Sequence, residues 1–246
     1  MAAAAETHVY DANLHSGADL QAFFEGDNLV TATRFFRNRA MYLDLEQVLI
    51  PMLMQGPARA SRRLRVWSAG CSDGREAYSL AMSTHRGLSR NNGSGWDWQV
   101  RGSDLSRPQI AKARAGVYVV TEHDQDAVDD YGEYFESAGN KGLQVAERIR
   151  AHIQFEVEDI IAYQPGEPVD ILVCSLVVLY YEQEYQKEII RKLISRVRPG
   201  GFFHVTPVSK RWLLSEDHHR TAGSSGAFFQ RSSQAGGQDG GFSRNG

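Results

Sequence analysis

The stretch Leu64-Arg-Val-Trp-Ser-Ala-Gly-Cys-Ser-Asp-Gly-Arg-Glu-Ala-Tyr-Ser-Leu-Ala-Met82 constrains this chain most, because an apolar strand passes through two glycines straight into an amphipathic helix. Leu64, Val66 and Trp67 carry strand character, while Gly70 and Gly74 permit a tight turn and let backbone approach a ligand. A helix that starts there presents its unpaired N–H groups to the crevice. The dinucleotide fingerprint G-x-G-x-x-G is not met, since the run from Gly70 reads G-C-S-D-G-R-E. Asp73 and Glu76 also stand at the helix start, where their carboxylates take the place of a bound anion. A cationic or zwitterionic ligand fits this charge pattern better than a diphosphate.

S-adenosylmethionine is such a ligand: it carries a sulfonium, an amino group, a ribose and an adenine, and no phosphate. A second strand should then end in an acid that accepts hydrogen bonds from the ribose hydroxyls. Trp96-Asp-Trp-Gln-Val-Arg-Gly-Ser-Asp104 reads as that strand and Asp104 as that acid. Asp104 lies further from Gly74 than the roughly 20 residues of the dinucleotide pattern, and the loop Asn91-Asn-Gly-Ser-Gly95 absorbs the excess. Helix capping is the alternative reading of Asp104, because Leu-Ser-Arg-Pro follows and a helix begins near Pro108.

Strand-like and helix-like segments alternate in the order that builds a parallel sheet with crossover helices, an α/β fold. Strand 64–69 leads to helix 76–86 and strand 99–104 to helix 108–115. Strands 152–157 and 169–175 follow, the second nearly all apolar, as burial on both faces requires. Ile189, Ile190, Leu193, Ile194 and Val197 recur at helical spacing up to the breaker Arg198-Pro-Gly-Gly201, beyond which 202–206 reads as a strand. Residues 117–148, rich in charges and aromatics, interrupt the alternation and read as a small insertion with strands of its own. The domain is expected over 28–217, after an extension 1–27 with a short helix at 18–24. Residues 218–246 read as a Gly- and Ser-rich tail, largely disordered, in which 226–231 adds a last antiparallel edge strand.

At 246 residues the chain suffices for one large domain. Its net charge of -3 supplies no electrostatic reason for nucleic-acid binding. Cys71 and Cys174 fall far apart at predicted strand ends and read as free thiols of a reducing compartment. No run approaches about 18 apolar residues, and the Met-Ala-Ala-Ala-Ala-Glu opening lacks a basic n-region. Membrane insertion and export are therefore not indicated, and a cytoplasmic location is expected. The histidines show no H-E-x-x-H spacing and no Cys-x-x-Cys companion, so no metal is assigned.

Thr33-Arg-Phe-Phe-Arg37, the Val66 to Ser79 segment, Ser103-Asp104, Gly116-Val-Tyr118 and Cys174-Ser-Leu-Val-Val-Leu-Tyr180 occur in one order. Together, from about residue 28 to about residue 208, they resemble the chemotaxis receptor methyltransferases of the CheR family. The resemblance implies a Rossmann-like domain with a small β-subdomain, here 117–148, and S-adenosylmethionine as cofactor. It further implies methyl transfer to glutamate side chains of a protein substrate, in that family a chemoreceptor. Carried over by residue, it puts Thr33 and Arg37 beside the cofactor's methionine end and Ala69, Gly70, Gly74 and Glu76 in the glycine-turn motif. Asp104 matches the ribose-binding acid, Asp159 falls where the family has an Asn-Leu pair near the adenine, and Tyr180 matches the tyrosine near the transferred methyl. Ser175 and Leu176 occupy cofactor-binding positions where the family has Arg-Asn. Arg75 replaces the first glutamate of its Gly-Glu-Glu, and no segment matches its helical N-terminal domain.

Transfer to a carboxylate needs no nucleophile–base pair, because a glutamate with an unperturbed pKa of about 4.3 is already ionised at neutral pH. The site has to hold one oxygen in line with the sulfonium methyl and exclude water. Arg37 can orient that carboxylate with its planar donors, and Tyr180 can donate a hydrogen bond or lay its ring near the sulfonium. Plainer readings stand beside these: Arg37, Asn38 and Arg39 as a solvated basic face, Tyr180 and Tyr181 as caps of the sheet edge, and Asp159 as a loop carboxylate. The change at Ser175 and Leu176 keeps two further functions open, an S-adenosylmethionine-binding interaction module with weakened catalysis and a methyltransferase with a different acceptor. Arg75 is one candidate to supply the polar groups that Ser175 and Leu176 do not.

Overall fold

A computed structural model describes residues 33–232 apart from 57, 140–141, 163–167, 207–209, 216–218 and 221–222. The expected extension 1–27, with its helix at 18–24, and the tail beyond 232 lie outside the described residues. Arg39–Asp44 (α1) continues through a π-helical turn, Leu45–Leu49, into Ile50–Gln55 (α2). Asn38 caps this helical run by accepting the Met41 N–H at 3.3 Å. Met41, Leu45, Leu49 and Leu53 recur every fourth residue and are buried in the core.

The expected alternation then appears: Arg63–Ala69 (β1), Arg75–Arg90 (α3), Asp97–Asp104 (β2) and Arg107–Ala115 (α4). Val117–Val119 (β3), Gln125–Tyr131 (α5), Phe135–Ser137 (β4) and Gly142–Val145 (β5) make up the insertion, whose strands form their own antiparallel sheet in the order β3-β5-β4. After Glu147–Arg150 (α6) come Ile153–Val157 (β6), Val169–Ser175 (β7), Gln183–Ser195 (α7) and Val197–Thr206 (β8). Lys210–Ser215 (α8), His219–Arg220 (β9) and Phe229–Gln230 (β10) follow. Among the described residues no helix is long and apolar enough to cross a membrane.

The main sheet has the order β6-β2-β1-β7-β8-β10-β9 and is parallel from β6 to β8. Strand order reverses between β1 and β7, so the carboxyl ends of these two strands open a crevice at the switch point. α3, α4, the insertion and the α1–α2 run pack on one face, while α7 covers the other through Ile189, Ile190, Leu193 and Ile194. Trp67, fully buried on β1, donates from Nε1 to Ser103 Oγ at 2.9 Å and so joins β1 to β2.

Two expectations need correction. β8 starts at Val197, not at 202: the Pro-Gly-Gly breaker stops α7 but lies within the strand, whose pairing with β7 shifts register between Val169 and Ile171. The C-terminal boundary also moves. β10 pairs antiparallel with β8, as expected, but β9 pairs on its other side and is the edge. Residues 223–232 belong to the domain, with Phe228 and Phe229 buried. Buried Asp44 accepts the Ser224 and Ser225 amides at 2.9 Å each, and both serine hydroxyls. Composition suggested disorder there, but backbone N–H groups satisfied by a buried carboxylate outweigh it.

At the amino ends of the strands, fully buried Asp170 accepts the Arg65 N–H at 2.7 Å and lies 2.8 Å from Arg198 Nε. Burial nevertheless pushes its carboxyl up to about 6, against the Arg65 amide and the two arginines. A carboxyl that binds its proton more tightly folded than unfolded adds stability as pH falls through its folded value. Asp170 should thus add about 2–3 kcal/mol between pH 7 and pH 4. In urea titrations Asp170→Asn should lose that increment; an unchanged pH dependence would refute the assignment.

Candidate functional site

The crevice is shaped by the turn between β1 and α3. Gly70 has φ +77°, and a Cβ there would overlap a Val177 methyl; Gly74 has φ +91°, and a Cβ would sit 2.7 Å from Ala113 Cβ. Both positions therefore demand glycine. The amides of Gly70 and Cys71 donate to Ser103 O at 2.8 and 2.9 Å, which locks the turn onto the end of β2. Asp73 accepts the Arg75 N–H at 3.3 Å through Oδ1, so a carboxylate does take the anion's place at the start of α3.

Asp104 closes β2, with Oδ2 accepting the Ser72 N–H at 2.8 Å and Oδ1 the Ser106 N–H at 2.9 Å. Ser106, not Asp104, is the N-cap of α4, its hydroxyl accepting the Gln109 N–H at 3.4 Å. Burial raises the Asp104 carboxyl above the usual range, and the two amides offset that only in part. A buried carboxylate that still favours protonation has capacity for further donors, such as a ribose diol.

Beside it, a cavity of about 350 Å³ is lined by Arg37, Tyr42, Glu76, Ser175, Leu176 and His204, among others. Glu76 projects from the first turn of α3, and its Oε1 accepts from Ser68 Oγ at 2.7 Å. Burial lifts its carboxyl above the usual range, while the Ser175 and Ser68 hydroxyls and the field of Arg37 pull it down. Arg37 is exposed at the rim and also lines a second cavity of about 200 Å³ that runs toward Asp126 and Asp130 of the insertion. The wall thus sets a half-buried anion, Glu76, against the rim cations Arg34 and Arg37, a pattern suited to a zwitterion.

Of the expected site residues, Arg37, Glu76, Ser175 and Leu176 meet around this cavity, and Asp104, Gly70 and Gly74 form the adjoining turn. Buried Ala69 ends β1, and half-buried Thr33 precedes Phe35. Neither belongs to the cavity wall. Asp159 accepts the Ile161 N–H at 2.8 Å after β6, and its charge and that of Asp104 raise the Tyr181 phenol further once burial has done so. Tyr180 ends a 3₁₀ turn, Val178–Tyr180, and is half-buried outside the wall. Arg75 does not stand in for the Arg-Asn pair: its guanidinium turns to the insertion, pairing with Asp73 and stacking 4.7 Å from the Tyr118 ring.

Tyr42 and His204 escaped the sequence reading, in which Tyr181 is only a cap of the sheet edge. Tyr42 follows Met41 in α1, a helix not anticipated, and hydrogen-bonds Ser79. Strand alternation could have found His204, two residues from Phe202 and Thr206 on β8; its Nδ1 lies 2.9 Å from Ala227 O.

Leu176 has φ +62°, a left-handed conformation that costs a leucine roughly 1–2 kcal/mol and an asparagine less. Its N–H donates to Thr206 O at 2.8 Å, which holds it there. Leu176→Asn should therefore stabilise the protein by about 1 kcal/mol in denaturant titration; a lower midpoint would show that the leucine's apolar packing outweighs the strain.

Comparison with known proteins agrees with this geometry. The family model "CheR methyltransferase, SAM binding domain" matches residues 31–207. The chemotaxis protein methyltransferase of Escherichia coli K12 is 31% identical over 201 residues, 79% of this chain and 65% of that protein. A probable chemotaxis protein methyltransferase of Rhizobium etli is 29% identical over 182 residues, 70% of this chain and 65% of its own length. Chemotaxis protein methyltransferase 1 of Pseudomonas aeruginosa PAO1 is 28% identical over 173 residues, 69% of this chain and 62% of its own length. The chain thus spans slightly less than two thirds of these relatives. With an α/β fold, a glycine turn backed by Asp104 and a half-buried Glu76 on the cavity wall, the chain belongs to the CheR methyltransferase family through its S-adenosylmethionine-binding domain.

Proposed function

We propose that this chain transfers the methyl group of S-adenosylmethionine to a glutamate side chain of a protein, a chemoreceptor-type acceptor, in the cytoplasm. The observation that carries this reading is Glu76: a half-buried carboxylate on the cavity wall, held by two serine hydroxyls. Such a group favours an ammonium partner over an anion. Together with Asp104 it gives the site one acceptor for the amino group and one for the ribose hydroxyls, which matches the donor set of S-adenosylmethionine. The free thiols of Cys71 and Cys174 suit a reducing compartment.

When bound, the cofactor supplies an electrophilic methyl on sulfur. The chain's own residues bind and orient. Glu76 takes the amino group, Asp104 the ribose, and Asp159 with Tyr181 flanks the adenine. Arg37, at the rim and lining both cavities, offers planar donors to the carboxylate of the cofactor's amino-acid end and to that of an acceptor entering from outside. Leu176 and Met41 keep water from the wall they line. Tyr180, four residues beyond Leu176, is assigned to the transferring methyl on the family match. Since the acceptor arrives ionised, no residue has to remove a proton.

Ser175 and Leu176 favour a second reading, a binding module with weakened transfer, because a hydroxyl and an isobutyl group cannot supply the donors of Arg-Asn. Incubation with methyl-labelled S-adenosylmethionine and cell extract, then mild alkali, separates the two. Carboxyl methyl esters release volatile methanol, whereas alkali-stable label would exclude esterification, and binding without transfer would favour the module.

Asp104→Ala should weaken S-adenosylmethionine binding by about 1.5–3 kcal/mol in calorimetry, as expected for hydrogen bonds to a charged group. Undiminished affinity would remove Asp104 from the site. Tyr180→Phe and Arg37→Lys should each lower methyl transfer at least tenfold, about 1.4 kcal/mol of barrier, with a smaller change in cofactor affinity. Equal losses in affinity and rate would confine both residues to holding the cofactor.

A further inference from the structure

The segment that carries Arg37 is held by its amides from two different parts of the molecule. Phe36 N–H donates to Ser79 Oγ on α3 at 3.0 Å, and Phe35 N–H donates to Asp124 Oδ1 in the insertion at 3.3 Å. Phe36 has φ +48°, a conformation that a bulky residue keeps only under outside restraint. Asp124 is buried, and its Oδ2 accepts the Thr121 amide at 3.2 Å and hydroxyl at 2.8 Å.

Arg75 fills the space between these parts. Its Nε lies 3.9 Å from Asp124 Oδ1, and its guanidinium pairs with Asp73 and stacks on the Tyr118 and Phe35 rings at 4.7 and 5.7 Å. The Tyr118 hydroxyl donates to the Asp73 carbonyl at 2.7 Å, and the Phe35 ring meets those of Tyr118 and Phe135 edge-on at 5.1 Å. The glycine turn, the 33–37 segment and the insertion's sheet therefore converge on one node. This node adjoins Arg37 and the start of α3, whereas Asp104 and Asp159 stand at the ends of β2 and β6.

We propose that Asp124 and Arg75 are positioning residues for the methionine end of the cofactor, through which the inserted subdomain sets where Arg37 and the glycine turn stand. The inference rests on the cofactor assignment above. Asp124 acts on Arg37 through the Phe35 amide two residues away; Arg75 acts on the turn through Asp73. A disturbance at the node should be felt at the amino-acid end of the ligand and spared at the nucleoside end.

Titration of the full chain with S-adenosylhomocysteine and with 5′-methylthioadenosine, which keeps adenine, ribose and sulfur but lacks the amino acid, tests this. Asp124→Ala should weaken S-adenosylhomocysteine at least tenfold and methylthioadenosine less than threefold. It should also speed hydrogen exchange at the Phe35 amide more than at Phe36. Asp124→Asn, whose single amide oxygen can accept from Phe35 while its NH2 is left facing the Thr121 hydroxyl and amide, should recover part of that affinity. Arg75→Met, which keeps packing against Tyr118 and Phe35 without charge, should show the same selective loss and serves if Asp124→Ala does not fold. Equal losses for both ligands, or no change in either, would overturn the proposal. A parent protein that bound both compounds equally would instead overturn the Glu76 and Arg37 assignments, while Phe35 exchange would still decide the mechanical link.

Discussion

Asp104 takes one amide from each of the two turns that border the crevice, Ser72 from the glycine turn and Ser106 from the start of α4. The rest of the site depends on this shared carboxylate. Without it, the turn after β1 would keep only the Gly70 and Cys71 amides on Ser103 O as its hold on β2 and would lose its tie to the start of α4. Charge-assisted bonds to backbone N–H groups are about twice as strong as neutral ones, so one side chain fixes both loops and remains an acceptor at the crevice. Glu76, one turn further on, inherits its position from the same turn.

Both carboxylates are half-buried, and partial loss of hydration makes both bind protons more tightly than usual. A ligand that brings an ammonium and hydroxyl donors removes this cost, whereas a phosphate would add to it. Discrimination against nucleotides thus comes from desolvated acids and not from a steric wall. Arg34 and Arg37 at the rim carry the opposite sign from Glu76 on the same cavity, a charge pattern that favours a zwitterion over an anion.

The central α/β alternation was legible because its signals are local: apolar strands of regular length, glycines at forced left-handed positions, and isoleucines and leucines at helical spacing in α7. Asp104 and Glu76 were legible for the same reason, lying within or just after those motifs. The helical run 39–55 was not, since its four-residue recurrence includes a π-helical turn and Pro51. Arg75 was read toward Ser175 because nothing local shows that Tyr118 and Asp124 attract it the other way. Tyr42 and His204 reach the cavity from elements far apart along the chain, and only folding brings them to Glu76.

The contact between Asp44 and Ser224 joins residues 180 apart in sequence, and His204 on the cavity wall rests on Ala227 in the same late segment. Closure of such a long loop comes after local structure, because its entropy must be met before its contacts repay it. On the ribosome, the parallel strands and the glycine turn can form while the last strands are still unmade, but the contacts that hold Asp44 and His204 from behind the cavity cannot. A chain cut before residue 224 would therefore keep its motifs and its glycine turn but leave Asp44 and His204, one in the helix that lines the cavity and one on its wall, without these partners.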